Sequence, residues 1–268
     1  MALESFPPFL LVSMRYLLSG AIMLAGAALM RIKLPKGREL FQTALNGVII
    51  LGIGNGCLAF AEQWIPSGLA ALFISTSPFW MVGLEALIPG GESLHAPTIA
   101  GMLIGFAGVA ILVVPTGAGG IGTSVLAGFL VLQFGCAGWS LGSIAQRRTP
   151  TVAHPMISGA VQQLATGLVF IVPALLIKGH PVYWSARGTG ALLYLVIFGS
   201  IVGYSSYIYA LSNLPVAIVS IYNYINPVVA VFLGWLFYRE PFGLREAVAM
   251  AVIFVGVATV KRYSREVH

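Results

Sequence analysis

Nine apolar runs, each close to the length that a lipid bilayer requires, constrain this chain before any motif is read. A hydrocarbon core about 30 Å thick takes roughly 20 apolar residues at about 1.5 Å of helix each. The runs fall near 8–30, 42–62, 68–88, 97–114, 122–146, 156–177, 189–211, 215–237 and 244–260. Between them stand RIKLPKGR at 31–38, IPSG at 65–68, IPGGESLHAP at 88–97, PTGAGG at 115–120 and QRRTP at 146–150. Pro, Gly and charge end a buried helix there, because they leave backbone groups that lipid cannot satisfy. The runs are apolar on all sides instead of alternating, which argues against a transmembrane barrel. The fold class predicted is an all-α polytopic membrane protein with nine visible transmembrane helices.

Composition removes the soluble alternative. Only 8% of the 268 residues are charged, against about 25% in a soluble domain whose surface faces water. With a mean hydropathy of +0.93, most of the surface must meet lipid. The basic excess sits in short loops, where the bias of cytoplasmic loops toward Lys and Arg explains it without nucleic acid. Alternate loops collect Arg31, Lys33, Lys36, Arg38, Arg147, Arg148, Lys261, Arg262 and Arg265 on one side. Lys178, Arg187, Arg239 and Arg245 fall on the other. The richer side should be cytoplasmic, which puts the C-terminus inside and residue 1 outside. Glu4 stands where a signal peptide carries a basic residue and Arg15 interrupts the first run, so that run is read as a retained helix. There is no Asp, and Cys57 and Cys136 lie in apolar stretches without a CxxC partner. Neither a disulfide framework nor a metal site is indicated, and no phosphate loop or cofactor motif is present.

The chain also repeats itself. Residues 54–78, GNGCLAFAEQWIPSGLAALFISTSP, align without a gap on 203–227, GYSSYIYALSNLPVAIVSIYNYINP. Gly54, Ala61, Pro66 and Pro78 match Gly203, Ala210, Pro215 and Pro227 at an offset of 149. Glu92 then matches Glu240, and FAGVA at 106–110 matches FVGVA at 254–258. The matched spans are the third and the eighth, and five helices of separation reverse direction, so the halves are inverted. Inverted halves are a recurrent build for secondary transporters, with the solute site between them near the midplane. The fifth span lacks a partner at this offset, because its equivalent would precede Met1. The first half is therefore expected to be one helix short, either because the protein lacks that helix or, the favoured reading, because the chain begins at an internal Met.

Three segments carry a family likeness: PPFLLVSMRYLLSG at 7–20, GNG…AEQWIPSG within 54–68, and YNYINPVVAVFLGWLFYRE at 222–240. In that order, and with the repeat, the chain resembles the EamA family of the drug/metabolite transporter superfamily over essentially its whole length. The resemblance implies ten helices in two inverted five-helix halves around a central cavity. Here these are 1–115, with four helices and the first absent, and 121–262, with five. It implies export of amino acids or other small amphipathic metabolites from a bacterial plasma (inner) membrane by alternating access. Small solute and membrane lipid are then the partners, no cofactor is needed, and homodimerisation stays open.

Polar residues at membrane depth are the candidates for solute contact. The eighth span offers Tyr222, Asn223 and Asn226, the seventh Tyr204 and Tyr207, the sixth Gln162 and Gln163, the fifth Trp139, and the second Asn55. Each can touch solute or simply bond neighbouring helices. Pro78 and Pro227 interrupt their helices as gating hinges or as static kinks. Arg15 and Glu62 lie toward the same side, where they are expected to interact and are candidates for ion coupling. Gly138-Trp139-Ser140-Leu141-Gly142 matches the G-x-S-x-G elbow of hydrolases. That elbow joins strand to helix, whereas this one lies inside an apolar run with no buried His. An intramembrane hydrolase is the weaker alternative, a non-transporting subunit the other, and no catalytic residue is assigned.

Overall fold

A computed structural model describes residues 2–89, 95–113, 123–149, 153–177, 181–213, 222–239 and 243–265. Among them there is no strand, and the helices are α1 (Ala2–Ser5), α2 (Pro8–Leu29), α3 (Gly37–Ala61), α4 (Ser67–Leu87) and α5 (Ala96–Val113). Then come α6 (Thr123–Arg148), α7 (Pro155–Leu176), α8 (Ala186–Asn213), α9 (Tyr222–Tyr238) and α10 (Leu244–Arg265). Six of these, α2, α3, α4, α6, α7 and α8, are long and apolar enough to cross a bilayer. The runs expected near 97–114 and 244–260 fall on α5 and α10 over their described residues, and α9 takes the run near 215–237 from residue 222, residues 215–221 lying outside the described ones.

Two compact units divide the chain, and each takes residues from both halves of the sequence. One comprises residues 1–60 and 141–215, the other 61–140 and 216–268.

In the first unit the dominant packing is α2 on α7. A Cβ added at Gly20 would stand 2.9 Å from the Leu164 backbone nitrogen, and one at Gly167 2.8 Å from that of Leu17. Positions 17 and 20 become 164 and 167 at an offset of 147, so the two close approaches are reciprocal. Ser13 Oγ adds a 2.9 Å hydrogen bond to the Gly167 carbonyl. Small residues at such crossings let apolar helices associate by contact, since lipid offers no hydrophobic drive between them. Beyond α2, Phe6 is fully buried with Ala2, Leu11, Leu192 and Val196 and meets Trp184 edge-on at 5.1 Å.

In the second unit α5 packs on α10 in the same manner. A Cβ at Gly108 would lie 2.9 Å from the Ile253 nitrogen and 3.0 Å from the Ala249 carbonyl. One at Gly256 would meet the Gly105 nitrogen and, at 2.6 Å, the Gly101 carbonyl. Positions 101, 105 and 108 map onto 249, 253 and 256 at the offset of 148 that joins FAGVA to FVGVA. This contact too is reciprocal. Arg245 closes the end of α5, donating from Nε to the Ile111 carbonyl at 2.7 Å and from Nη2 to that of Leu112 at 3.2 Å.

The helix broken near Pro78 is α4. Its regular turns stop at Ile74 and resume at Ser77, with Pro78 in the first turn of the resumed part, where its missing N–H costs nothing. Carbonyls freed at the break are met by side chains. Ser75 Oγ donates to Leu72 O at 2.6 Å, Thr76 Oγ1 to Phe73 O at 2.7 Å and Ser77 Oγ to Ile74 O at 2.7 Å. Gln133 of α6 accepts at Oε1 from Trp80 Nε1 at 2.7 Å, with Thr76 Oγ1 standing 3.1 Å from the same oxygen. Irregular backbone at membrane depth is tolerated where protein satisfies it in this way.

Candidate functional site

The densest set of buried polar side chains lies in the first unit, on α2, α3, α7 and α8. Two features of the backbone bring them together. Gly47 of α3 lies against the Gln162 backbone, where any side chain would collide. Both α3 and α8 also contain a π-helical stretch, Val48–Asn55 and Leu195–Tyr204. Their last residues, Asn55 and Tyr204, are equivalent at the repeat offset of 149. The wider turn re-aims side chains, and such stretches recur at functional sites.

From these elements a hydrogen-bonded chain is assembled. Tyr204 OH donates to Gln162 Oε1 at 2.6 Å, and Gln162 Nε2 donates to Gln146 Oε1 at 2.8 Å. Tyr207 stacks on Tyr204 with centroids 6.1 Å apart, and its hydroxyl meets Ser143 Oγ at 2.7 Å. Ser19 Oγ donates to Gln163 Oε1, and Gln163 Nε2 reaches the Ser200 carbonyl at 3.3 Å. Arg15 donates from Nε to Ser200 Oγ at 2.6 Å, and its guanidinium carbon lies 5.1 Å from the centroid of the Tyr16 ring.

Gln162, Gln163, Tyr204, Tyr207, Asn55 and Arg15 are thus gathered in one unit. The others are placed elsewhere. Trp139 is half-buried on the α6 segment of the second unit, Glu62 is half-buried just past α3, and Asn226 is exposed on α9. The side chains of Tyr222, Asn223 and Pro227 lie outside the described residues. Arg15 meets Ser200 and the Tyr16 ring.

Tyr16, Ser19 and Ser200 were not foreseen. Tyr16 is 1% exposed and its hydroxyl has no hydrogen-bond partner. The Asn55 amide and Tyr204 are its polar neighbours, without closing a bond of ordinary geometry. A signal was available. Tyr16 and Gln163 are equivalent at the offset of 147, so α2 presents a polar residue where α7 does. An orphan hydroxyl costs about 1–3 kcal/mol, so Tyr16→Phe is expected to raise the thermal stability of the detergent-solubilised protein by about 1 kcal/mol. A lower unfolding midpoint would mean that the hydroxyl is bonded.

Chemically, the set offers neutral donors and acceptors and one cation. Among the described residues no group of three or more His, Cys, Asp or Glu is placed to hold a metal ion. The arrangement suits binding of a small polar or amphipathic molecule.

Comparison with known proteins agrees. The model of the EamA-like transporter family matches residues 1–114 and 126–262. The "Uncharacterized inner membrane transporter YedA" of Escherichia coli strain K12 is 34% identical over 260 residues, covering 96% of this chain and 82% of that protein. The "Probable terminal-alkyne amino-acid exporter" of Streptantibioticus cattleyicolor is 27% identical over 233 residues, covering 86% and 76%. One crystal structure shares the fold with a TM-score of 0.71 at 23% identity, over 97% of this chain and 90% of that one. The chain belongs to the EamA-like transporter family and is an integral membrane transporter.

Proposed function

We propose that this chain is a secondary transporter of the bacterial inner membrane that exports amino acids or similar amphipathic metabolites by alternating access. Its inverted halves are 1–115 and 121–262, its nine spans are α2 to α10, and its C-terminus is cytoplasmic. The observation that carries the reading is the reciprocity of the packing. Positions 17 and 20 meet 164 and 167, and 101, 105 and 108 meet 249, 253 and 256. Two inverted copies facing each other across a two-fold axis would make contacts of this kind. The paired π-helical stretches at one offset add to it. Being named a transporter in relatives, and offering binding groups without an assigned nucleophile, the chain is read as a non-enzyme.

The solute would be held by Gln162, Gln163, Tyr204, Tyr207 and Asn55, and Trp139, Tyr222, Asn223 and Asn226 stay candidates for solute contact. The broken α4 at Pro78 is read as a hinge, with Pro227 as its counterpart. Glu62 is the coupling candidate. If it carries the proton, Glu62→Gln flattens the pH dependence of transport, and an unchanged profile removes it from that role.

The direct test is metabolite profiling of medium from cells with and without the gene. An amino acid or a related amphiphile is expected to be depleted from the medium when the gene is deleted. Identical profiles across small metabolites would overturn export.

A further inference from the structure

On α2 the first unit's polar cluster holds a cation and an orphan hydroxyl, on consecutive residues. Arg15 is half-buried inside α2 and uses Nε on Ser200 Oγ. Its edge of two terminal nitrogens meets no carboxylate among the described residues. Nη2 lies against Gly199, where an added Cβ would stand 2.8 Å from it, so only glycine there leaves the guanidinium its place. A cation within a spanning helix is costly without a counter-charge. Its free edge matches the two oxygens of a carboxylate, which a guanidinium takes by two parallel hydrogen bonds. A phosphate ester, carrying about −1.5 to −2 charge, would leave excess charge beside a single cation and neutral neighbours.

We infer that Arg15, with its guanidinium fixed by Ser200 and lying over the Tyr16 ring, is the carboxylate-binding residue of a solute site in this unit, with the unpartnered Tyr16 hydroxyl meeting a second polar group of the same solute. This rests on the transporter reading and gives its solute a chemical class: small carboxylic acids that carry a further hydrogen-bonding group. The role differs from ion coupling, because the charge of Arg15 is matched by what is carried.

The test uses the purified full chain in nanodiscs, with the neutral L-amino acids and their primary amides as paired probes. At least one acid is expected to bind, and its amide to bind about tenfold more weakly, through loss of the charge-assisted pair. Arg15→Gln should remove this discrimination, and Arg15→Lys should keep only part of it, since an ammonium lacks the fork. Ser200→Ala should weaken acid binding and leave amide binding unchanged, which guards against a misfolded Arg15 variant. Tyr16→Phe should weaken acid and amide alike.

Equal binding of acid and amide overturns the inference, as does discrimination that survives Arg15→Gln. Acid binding that is absent with anionic lipid in the nanodisc and appears only when that lipid is left out assigns Arg15 to a lipid headgroup and overturns it as well. If no acid binds, the carboxylate site falls while export still stands on the metabolite comparison.

Discussion

Gly256→Ala is expected to abolish most of the folded protein, although it adds a single methyl group. The new Cβ would be driven into the Gly105 nitrogen and to 2.6 Å from the Gly101 carbonyl, both of them backbone. Side chains can rotate away from an intruder, but a helix backbone can only move as a whole. The α5–α10 seam, the second unit's dominant contact, would have to open along its length. Overpacking of this sort costs about 1–3 kcal/mol and more where nothing yields. Gly190→Ala supplies the control, because an added Cβ there has nothing within 4 Å. In α8 that change should stabilise by about 1 kcal/mol through helix propensity alone. Monodisperse yield and unfolding midpoint in detergent check both, and the two alanines should move them in opposite directions. Equal effects would mean that the seam is looser than its geometry.

The second large effect concerns Gln162. Gln162→Leu preserves volume but takes the acceptor from Tyr204 OH and the donor from Gln146 Oε1. Gln146 is half-buried and regains water, whereas Tyr204 is buried. Stability should therefore fall by about 1–3 kcal/mol, the cost of taking a hydrogen bond from a buried group. Adding Tyr204→Phe removes the hydroxyl that lost this bond and should recover part of the loss, as coupled positions do in a double-mutant cycle. Transport should be lost in the single variant and stay lost in the double one. Recovery of both stability and transport would show that the pair only holds helices together.

How far the sequence led depended on how each feature is encoded. Membrane class follows from bulk chemistry, since too few charges for a water-facing shell is a property of the whole chain. The break in α4 was legible because Pro78 has a local steric consequence. The α2–α7 equivalence was not legible. Between 13–20 and 160–167 only Leu17 and Gly20 recur, as Leu164 and Gly167, which are too few to notice before their contact is seen. Gln162, Gln163, Tyr204 and Asn55 announced themselves as polar groups at depth. Tyr16 did not, because a tyrosine in a first span reads as an interface anchor. Ser19 and Ser200 are too common in membrane helices to stand out. Tertiary packing alone distinguishes them.

The π-helical stretches of α3 and α8 have a mechanical consequence. A π turn is an α-helix carrying one residue of slack, held without a broken backbone. Passing that slack one turn along the helix rotates every side chain it has passed by about 100°, the angle between successive α-helical residues. Asn55 and Tyr204 sit at the trailing edge of their slack. Each could be wheeled toward or away from the orphan hydroxyl of Tyr16 while both ends of its helix stay anchored, a ratchet that needs no proline.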